Sequence, residues 1–378
     1  MRVGIRDVLV IMEKSSPRIV ILTVAGNCNL KCAYCYQSYK KASLMSFEIA
    51  KKICDNEIVT AEKADKLIEF VFLGGEPLLN FDLIKALSEW IWVTYHRKVP
   101  RLSLRTNGTL LNNISREWLL KNKFRIDVFL SLDGMPIMQV LNRGVDQSKI
   151  DIDFFVTNWP QNKVKCVLYR DTVEHLSESV RYFYENKINF EIVIGEGFYW
   201  DATSALILEK ELAKVSEWAI SISDFNEADV FKMRVENFYP QDEIKMTQTC
   251  RKSSDFVCYD TDGRSYFCQM FTPLSQGNDL SSGNDKEGVL PNEAPIDLRC
   301  IKCPIRFQCR NCIGINLKMQ GSIDKWAAPN TTCLANISMA RGCAGLYLLK
   351  IQNLTRPITE DEAINVVRCM KLLKELQI

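Results

Sequence analysis

Arg18-Ile19-Val20-Ile21-Leu22-Thr23-Val24, then Ala25-Gly26-Asn27, then Cys28-Asn29-Leu30-Lys31-Cys32-Ala33-Tyr34-Cys35 is the stretch from which the rest of the chain can be read. The first seven residues are apolar and rich in β-branched side chains, which predicts a buried strand. Gly26 and Asn27 are turn residues and end it. The three cysteines, spaced C-x3-C-x2-C, therefore sit on a loop at the C-terminal end of a first strand.

Outward from this loop the same strand-then-loop pattern repeats. A helix is expected over about 46–62, with Ser46 as N-cap and Ile49, Ile53 and Ile58 on one face. Glu69 to Leu73 reads as a second strand running into Gly74-Gly75-Glu76-Pro77. A helix near 81–96 follows, then a third strand from Leu102 to Thr106 that ends in Asn107-Gly108. A helix near 115–122 leads to a fourth strand, Ile126 to Leu132, ending in Asp133-Gly134. Lys163 to Tyr169, a helix near 173–186, and Phe190 to Ile194 complete six units. Strands alternating with helices at this spacing predict an α/β fold of βαβ units around a parallel sheet, a partial (βα)6 barrel. Chemistry in such barrels sits on the loops at the C-terminal ends of the strands. The cysteine loop, Gly74–Pro77, Thr106–Gly108 and Ser131–Gly134 follow strands one to four and would open onto one rim.

The composition narrows the function. Forty-eight Lys and Arg against 46 Asp and Glu in 378 residues leave no strong field, so neither nucleic acid nor a membrane is an expected partner. The run Val8 to Met12 is too short for a secretory signal, and no stretch approaches a membrane span. A cytoplasmic location is expected. Fifteen cysteines in that compartment point to metal binding rather than disulfides. Iron–sulfur clusters are usually held by four thiolates. Three at Cys28, Cys32 and Cys35 leave one iron open to another ligand. A zinc knuckle would need four N or S ligands, and the only histidines, His96 and His175, lie in other predicted elements.

The loop resembles the cluster loop of the radical S-adenosylmethionine (SAM) enzymes, whose open iron binds SAM. The resemblance implies a [4Fe–4S] cluster on Cys28, Cys32 and Cys35, with SAM as cofactor. Gly74-Gly75-Glu76-Pro77 resembles the family motif that holds the SAM amino group, where backbone carbonyls and a carboxylate suit an ammonium and glycine allows close approach. Tyr34 stands where the family carries an aromatic beside the adenine. Ser131 and Asp133 resemble its polar strand-four end, which contacts the SAM ribose or carboxylate. Arg143 falls where peptide-modifying members carry an arginine for the SAM carboxylate, a good match for a guanidinium fork. Asn107 is a candidate substrate or ribose contact, or else shapes its turn.

A second cysteine region is also distinctive. Cys250 is followed by Gly263 and Cys268, with a hairpin expected from Phe256 to Tyr259 and Ser265 to Phe267. Cys300, Cys303, Cys309, Cys312 and Cys333 follow. This resembles the SPASM domain, a small cysteine-rich extension with a β-hairpin and helices, although the last tight spacing is x2 where the family has x3. The resemblance implies two auxiliary [4Fe–4S] clusters. Cys300, Cys303, Cys309 and Cys333 would hold one. Cys250, Cys268 and Cys312 would hold the other, with Cys258 or Cys343 as a candidate fourth ligand. Cys54, Cys166 and Cys369 fall inside predicted elements and are expected to be buried and inert.

The expected organisation is a barrel over 1–200 with a short lead-in, a helical bridge over 201–249, a SPASM-like region over 250–345, and a helical tail over 346–378. The resemblance implies a maturase that takes a hydrogen from a ribosomally made peptide and forms an oxidative crosslink. The alternatives are a sulfatase-maturase-like dehydrogenase of Cys or Ser, which carries an acid where Gln269 stands, and a non-catalytic iron–sulfur electron carrier. Expected partners are a peptide or protein substrate and a reductase, flavodoxin or ferredoxin as electron donor. Because few residues precede the first strand, substrate recognition is expected on the barrel rim, on the bridging segment or on a separate leader-recognition protein.

Overall fold

The structure, a computed structural model, describes residues 17–96, 99–222, 225–239, 256–278, 300, 302–309, 312–320 and 331–377. Six parallel strands follow one another with helices between them: β1 (Arg18–Ala25), β2 (Ile68–Gly74), β3 (Arg101–Thr106), β4 (Asp127–Leu130), β5 (Val164–Leu168) and β6 (Phe190–Ile194). β1 pairs with β2, β2 with β3 and β3 with β4, all parallel. β5 and β6 pair in parallel with each other. A single parallel bridge, Ser131 with Lys165, and the Leu132 N–H to the Lys165 carbonyl at 3.1 Å carry the sheet from β4 to β5.

Alternation along β1 sorts its side chains. Val20, Leu22 and Val24 join the main core under the helices, while Ile21 faces the other way with Val71 and Cys258. The helix Phe47–Lys63 starts where Ser46 accepts a hydrogen bond from the Ile49 N–H.

The expected hairpin forms, as β7 (Phe256–Tyr259) and β8 (Ser265–Tyr266), closed by a turn with Gly263 at φ +85°. Its edge joins the barrel sheet. β7 pairs in parallel with β1, so the sheet runs β4-β3-β2-β1-β7-β8. The physical reason is the free edge of β1, whose unpaired backbone groups need a partner.

Downstream, the helix Ala202–Ala219 lies against a 20-residue helix, Cys333–Gln352, whose bounds the sequence pattern does not mark. A Cβ added at Gly342 would stand 2.9 Å from Leu212 Cβ, so the glycine lets the two helices approach. This helix runs unbroken across the boundary expected at 345. The tail helix Glu360–Glu375 forms as expected, with a capping box between Thr359 and Glu362, and packs through Cys369 and Leu372. No helix among the described residues is long and apolar enough to cross a membrane.

Candidate active site

The loops after β1 to β4 meet at one end of the sheet, and backbone contacts knit them together. The Gly75 N–H donates to the Ala25 carbonyl at 2.9 Å, and the Glu76 N–H donates to the Asn27 carbonyl at 2.8 Å. A Cβ on Gly74 would lie 2.2 Å from the Ala25 oxygen, and one on Gly75 would lie 2.1 Å from the Asn27 oxygen. The two glycines are thus required by the cysteine loop itself, which passes too close for any side chain.

Glu76 is buried and fully engaged with protein. Oε1 accepts from Thr106 Oγ1 at 2.6 Å and from the Leu78 N–H at 3.0 Å, and Oε2 accepts from the Asn107 N–H at 2.9 Å. Burial pushes its pKa up, and these hydrogen bonds work against the rise. The carboxylate binds the loop after β2 to the loop after β3. Asn107 extends the same brace, since its Nδ2 donates to Asn29 Oδ1 at 3.0 Å and lies 3.9 Å from Cys28 Sγ.

Cys28, Cys32 and Cys35 are all half-buried on this loop. Burial raises the Cys28 thiol, partly offset by the Leu30 N–H and Lys40. Burial pushes Cys32 up to about 11, with Arg143 pulling it down and Cys35, Asp133 and Cys28 pushing further. Cys28 and Cys32 thus hold their protons more firmly than free thiols, and a bound metal would have to displace them. Tyr34 reaches across to β4, where its hydroxyl donates to Asp133 Oδ2. Asp133 Oδ1 accepts from Arg143 Nη2 at 2.9 Å and from the Val167 N–H at 3.1 Å. Burial works against the charge of Arg143, but Asp133, Tyr34 and Cys32 outweigh it and hold its pKa up. Arg143 Nε is buried and has no hydrogen-bond partner. Ser131 sits half-buried at the β4 rim, where its N–H donates to the Thr106 carbonyl at 3.0 Å.

The later cysteines gather in two places. Burial raises the Cys309 thiol, and Cys333, Cys303 and Cys300 each raise it further, so that all four share one neighbourhood. Cys268 and Cys312 pack with Tyr36 around Tyr266, Met270, Phe271 and Ile315. Cys258 lies near Cys268 but is fully buried in β7, with Thr23 Oγ1 3.7 Å from its sulfur. Cys343 stands apart inside its helix and donates to the Met233 carbonyl. Cys250 lies outside the described residues. Among the described residues, no three His, Cys, Asp or Glu side chains converge to hold a single metal ion.

The donor set suits iron–sulfur clusters: grouped, half-exposed thiols, and beside Cys32 an orphaned guanidinium N–H that a bound anionic group can satisfy. Sequence reasoning placed Thr106 and Asn29 in the rim loops without giving them a role, and missed Gln139, whose Oε1 accepts from the Asp133 N–H at 2.8 Å. Only their nearness to the motifs could have signalled them. It also missed Tyr36, which follows Cys35 directly.

Comparison with known proteins agrees with this geometry. The Radical SAM superfamily model matches residues 22–135. A cysteine-type anaerobic sulfatase-maturating enzyme of Clostridium perfringens is 29% identical over 189 residues, covering 46% of this chain and 50% of that protein. The chain spans about half the length of the sulfatase-maturating relatives it matches. The structure of native anSMEcpe with bound AdoMet superposes with a TM-score of 0.65 at 22% identity, over 89% of this chain and 98% of that one. Streptococcus suis SuiB bound to precursor peptide SuiA gives a TM-score of 0.58 at 17% identity, over 82% and 74% of the two chains. These last two show a shared fold.

Proposed function

We propose, from the match of residues 22–135 to the Radical SAM superfamily model, that the chain is a peptide-modifying radical SAM maturase with auxiliary clusters. Cys28, Cys32 and Cys35 would hold a [4Fe–4S] cluster that binds SAM. The cluster and SAM, when bound there, would supply one-electron cleavage of SAM and a radical able to take hydrogen from an unactivated carbon. The chain's own residues do the positioning. Glu76 and Asn107 brace the cysteine loop against β2 and β3. Tyr34, Asp133 and Arg143 form a fixed polar wall beside Cys32, and the Arg143 Nε is left to bind an anionic group such as a carboxylate. Cys300, Cys303, Cys309 and Cys333 would hold one auxiliary cluster. Cys268 and Cys312, with Cys250 and Cys258, would serve the other.

The product we favour is an oxidative crosslink, and Gln269 carries that reading. It follows Cys268 directly, its Oε1 is buried without a hydrogen-bond partner, and a neutral amide cannot take a proton as a base. Likeness to the sulfatase-maturating enzymes favours the second reading, oxidation of a Cys or Ser side chain. Mass spectrometry of candidate peptides after turnover separates the two. A crosslink shows the loss of two hydrogens, no aldehyde and no fragmentation between the joined residues. A linear product that reacts with an aldehyde reagent decides for oxidation.

A further inference from the structure

The helix Ile313–Gln320 starts directly after Cys312 and carries Lys318 back to the first cysteine loop. The Lys318 ammonium donates to the carbonyl oxygen of Tyr36 and, at 2.9 Å, to Ser38 Oγ. It stands 5.6 Å from the centre of the Tyr39 ring. Burial works against its charge, and Cys35 works for it. The segment it grips begins one residue after Cys35. That segment is held from other sides too. The Tyr36 side chain packs in one apolar cluster with Cys268 and Cys312. A Cβ added at Gly197, in the loop after β6, would meet Ile315 Cδ1 at 3.8 Å and Tyr36 Cβ at 4.0 Å.

Two cysteine regions far apart in sequence thus share one contact zone, and Lys318 brings a basic side chain into it. We infer that Lys318 is a positioning residue through which the C-terminal cysteine region holds the loop after Cys35 and makes a cluster on Cys28, Cys32 and Cys35 easier to reduce. The second half of this inference rests on the reading that those cysteines carry a cluster. The physics is Coulombic: a fixed cation in a partly buried setting favours a neighbour that gains an electron, far more than it would in bulk water. The tether adds geometry, since a hydrogen-bonded lysine bridging two chain segments limits how far they separate.

The test uses the full-length protein as wild type, Lys318→Gln and Lys318→Arg. In protein without iron, hydrogen exchange across the segment that begins at Tyr36 should be severalfold faster in Lys318→Gln, and close to wild type in Lys318→Arg. In iron-reconstituted protein, a one-electron titration with titanium(III) citrate is followed by electron paramagnetic resonance. The signal of the first cluster is assigned by its absence in Cys32→Ala. At a fixed potential, the reduced-to-oxidised ratio of that cluster should fall about tenfold in Lys318→Gln, about 59 mV for a one-electron couple. It should stay within about twofold of wild type in Lys318→Arg, where the charge is kept. Unchanged exchange and an unchanged ratio in Lys318→Gln would overturn the inference. Equal shifts in the Gln and Arg variants would overturn it too, because they would trace the effect to shape rather than charge. Wild-type protein that binds no cluster on the first loop contradicts the proposed function, and the exchange comparison then decides the tether alone.

Discussion

Arg143 and Asp133 form a buried ion pair beside the cysteine loop, with Nη2 2.9 Å from Oδ1, and Tyr34 donates from that loop to the carboxylate's other oxygen. Removing one partner of a buried pair leaves the other charge uncompensated. Asp133→Ala should therefore cost about 3–5 kcal/mol in urea unfolding. Asp133→Asn keeps an acceptor for Tyr34 and should cost less. A loss below about 1 kcal/mol in Asp133→Ala, the range of an exposed pair, would show that the pair is not sealed from water.

Gly75 tests the fit between the second loop and the first. The Cβ of Gly75→Ala would lie 2.1 Å from the Asn27 oxygen and 2.9 Å from the Cys28 nitrogen, so the backbone itself must move. Iron bound by Cys28, Cys32 and Cys35 should fall severalfold in this variant, while iron bound by the later cysteines stays. Unchanged binding by the first loop, measured in a background lacking the later cysteines, would mean that the loops adjust freely.

Cys309 and Cys343 are both cysteines of the C-terminal region, yet they should behave differently. Cys309 shares its surroundings with Cys300, Cys303 and Cys333, whereas Cys343 is sealed in a helix and bonded to a backbone carbonyl. Cys309→Ala should remove up to about four irons per chain. Cys343→Ala should leave iron content unchanged and lower stability by about 1–2 kcal/mol. Iron loss in Cys343→Ala would reassign the ligands.

Much of this arrangement is legible in the sequence because its signals are local. The strand before the cysteine loop shows itself by a β-branched run, and each rim loop is flagged by glycine at a strand end. The Ser46 cap lies directly before the helix it starts. What escapes is tertiary. The hairpin Phe256–Tyr259 and Ser265–Tyr266 is visible, but pairing with β1 depends on which sheet edge is free once the barrel has formed. The helix Cys333–Gln352 hides because Gly342 and Gly345 weaken its helical signal and because it has no polar face to give it a period. In the site, Glu76 stands out in its motif, but its bonds to Thr106 and Asn107 do not. The Lys318 contact spans 282 residues and leaves no mark in either local sequence.

The tail helix supplies a pH prediction. Arg356 first, then the Thr359 N–H, hold the Glu362 carboxyl down at about 2, below its ordinary 4.5. A depressed carboxyl contributes stability above its unfolded pKa and loses it as pH falls through the folded value. Helix Glu360–Glu375 should thus keep its N-terminal turn at neutral pH and fray as pH drops from about 4.5 towards 2. Amide exchange at Glu362 and Ala363 measures this directly. Arg356 is exposed and Glu362 half-buried, so high salt should weaken the effect. Fraying that begins above pH 5 would assign it to another group.

If the loop after β1 holds the cluster that cleaves SAM, removing its three thiols must abolish that cleavage. Full-length protein is reconstituted anaerobically with iron and sulfide, reduced in the presence of SAM, and assayed for 5′-deoxyadenosine. Wild type should form it. The variant with Cys28, Cys32 and Cys35 all changed to Ala should form none, while retaining the iron held by the later cysteines. Formation of 5′-deoxyadenosine by the triple variant at a rate near that of wild type would mean that these three cysteines do not hold the SAM cluster.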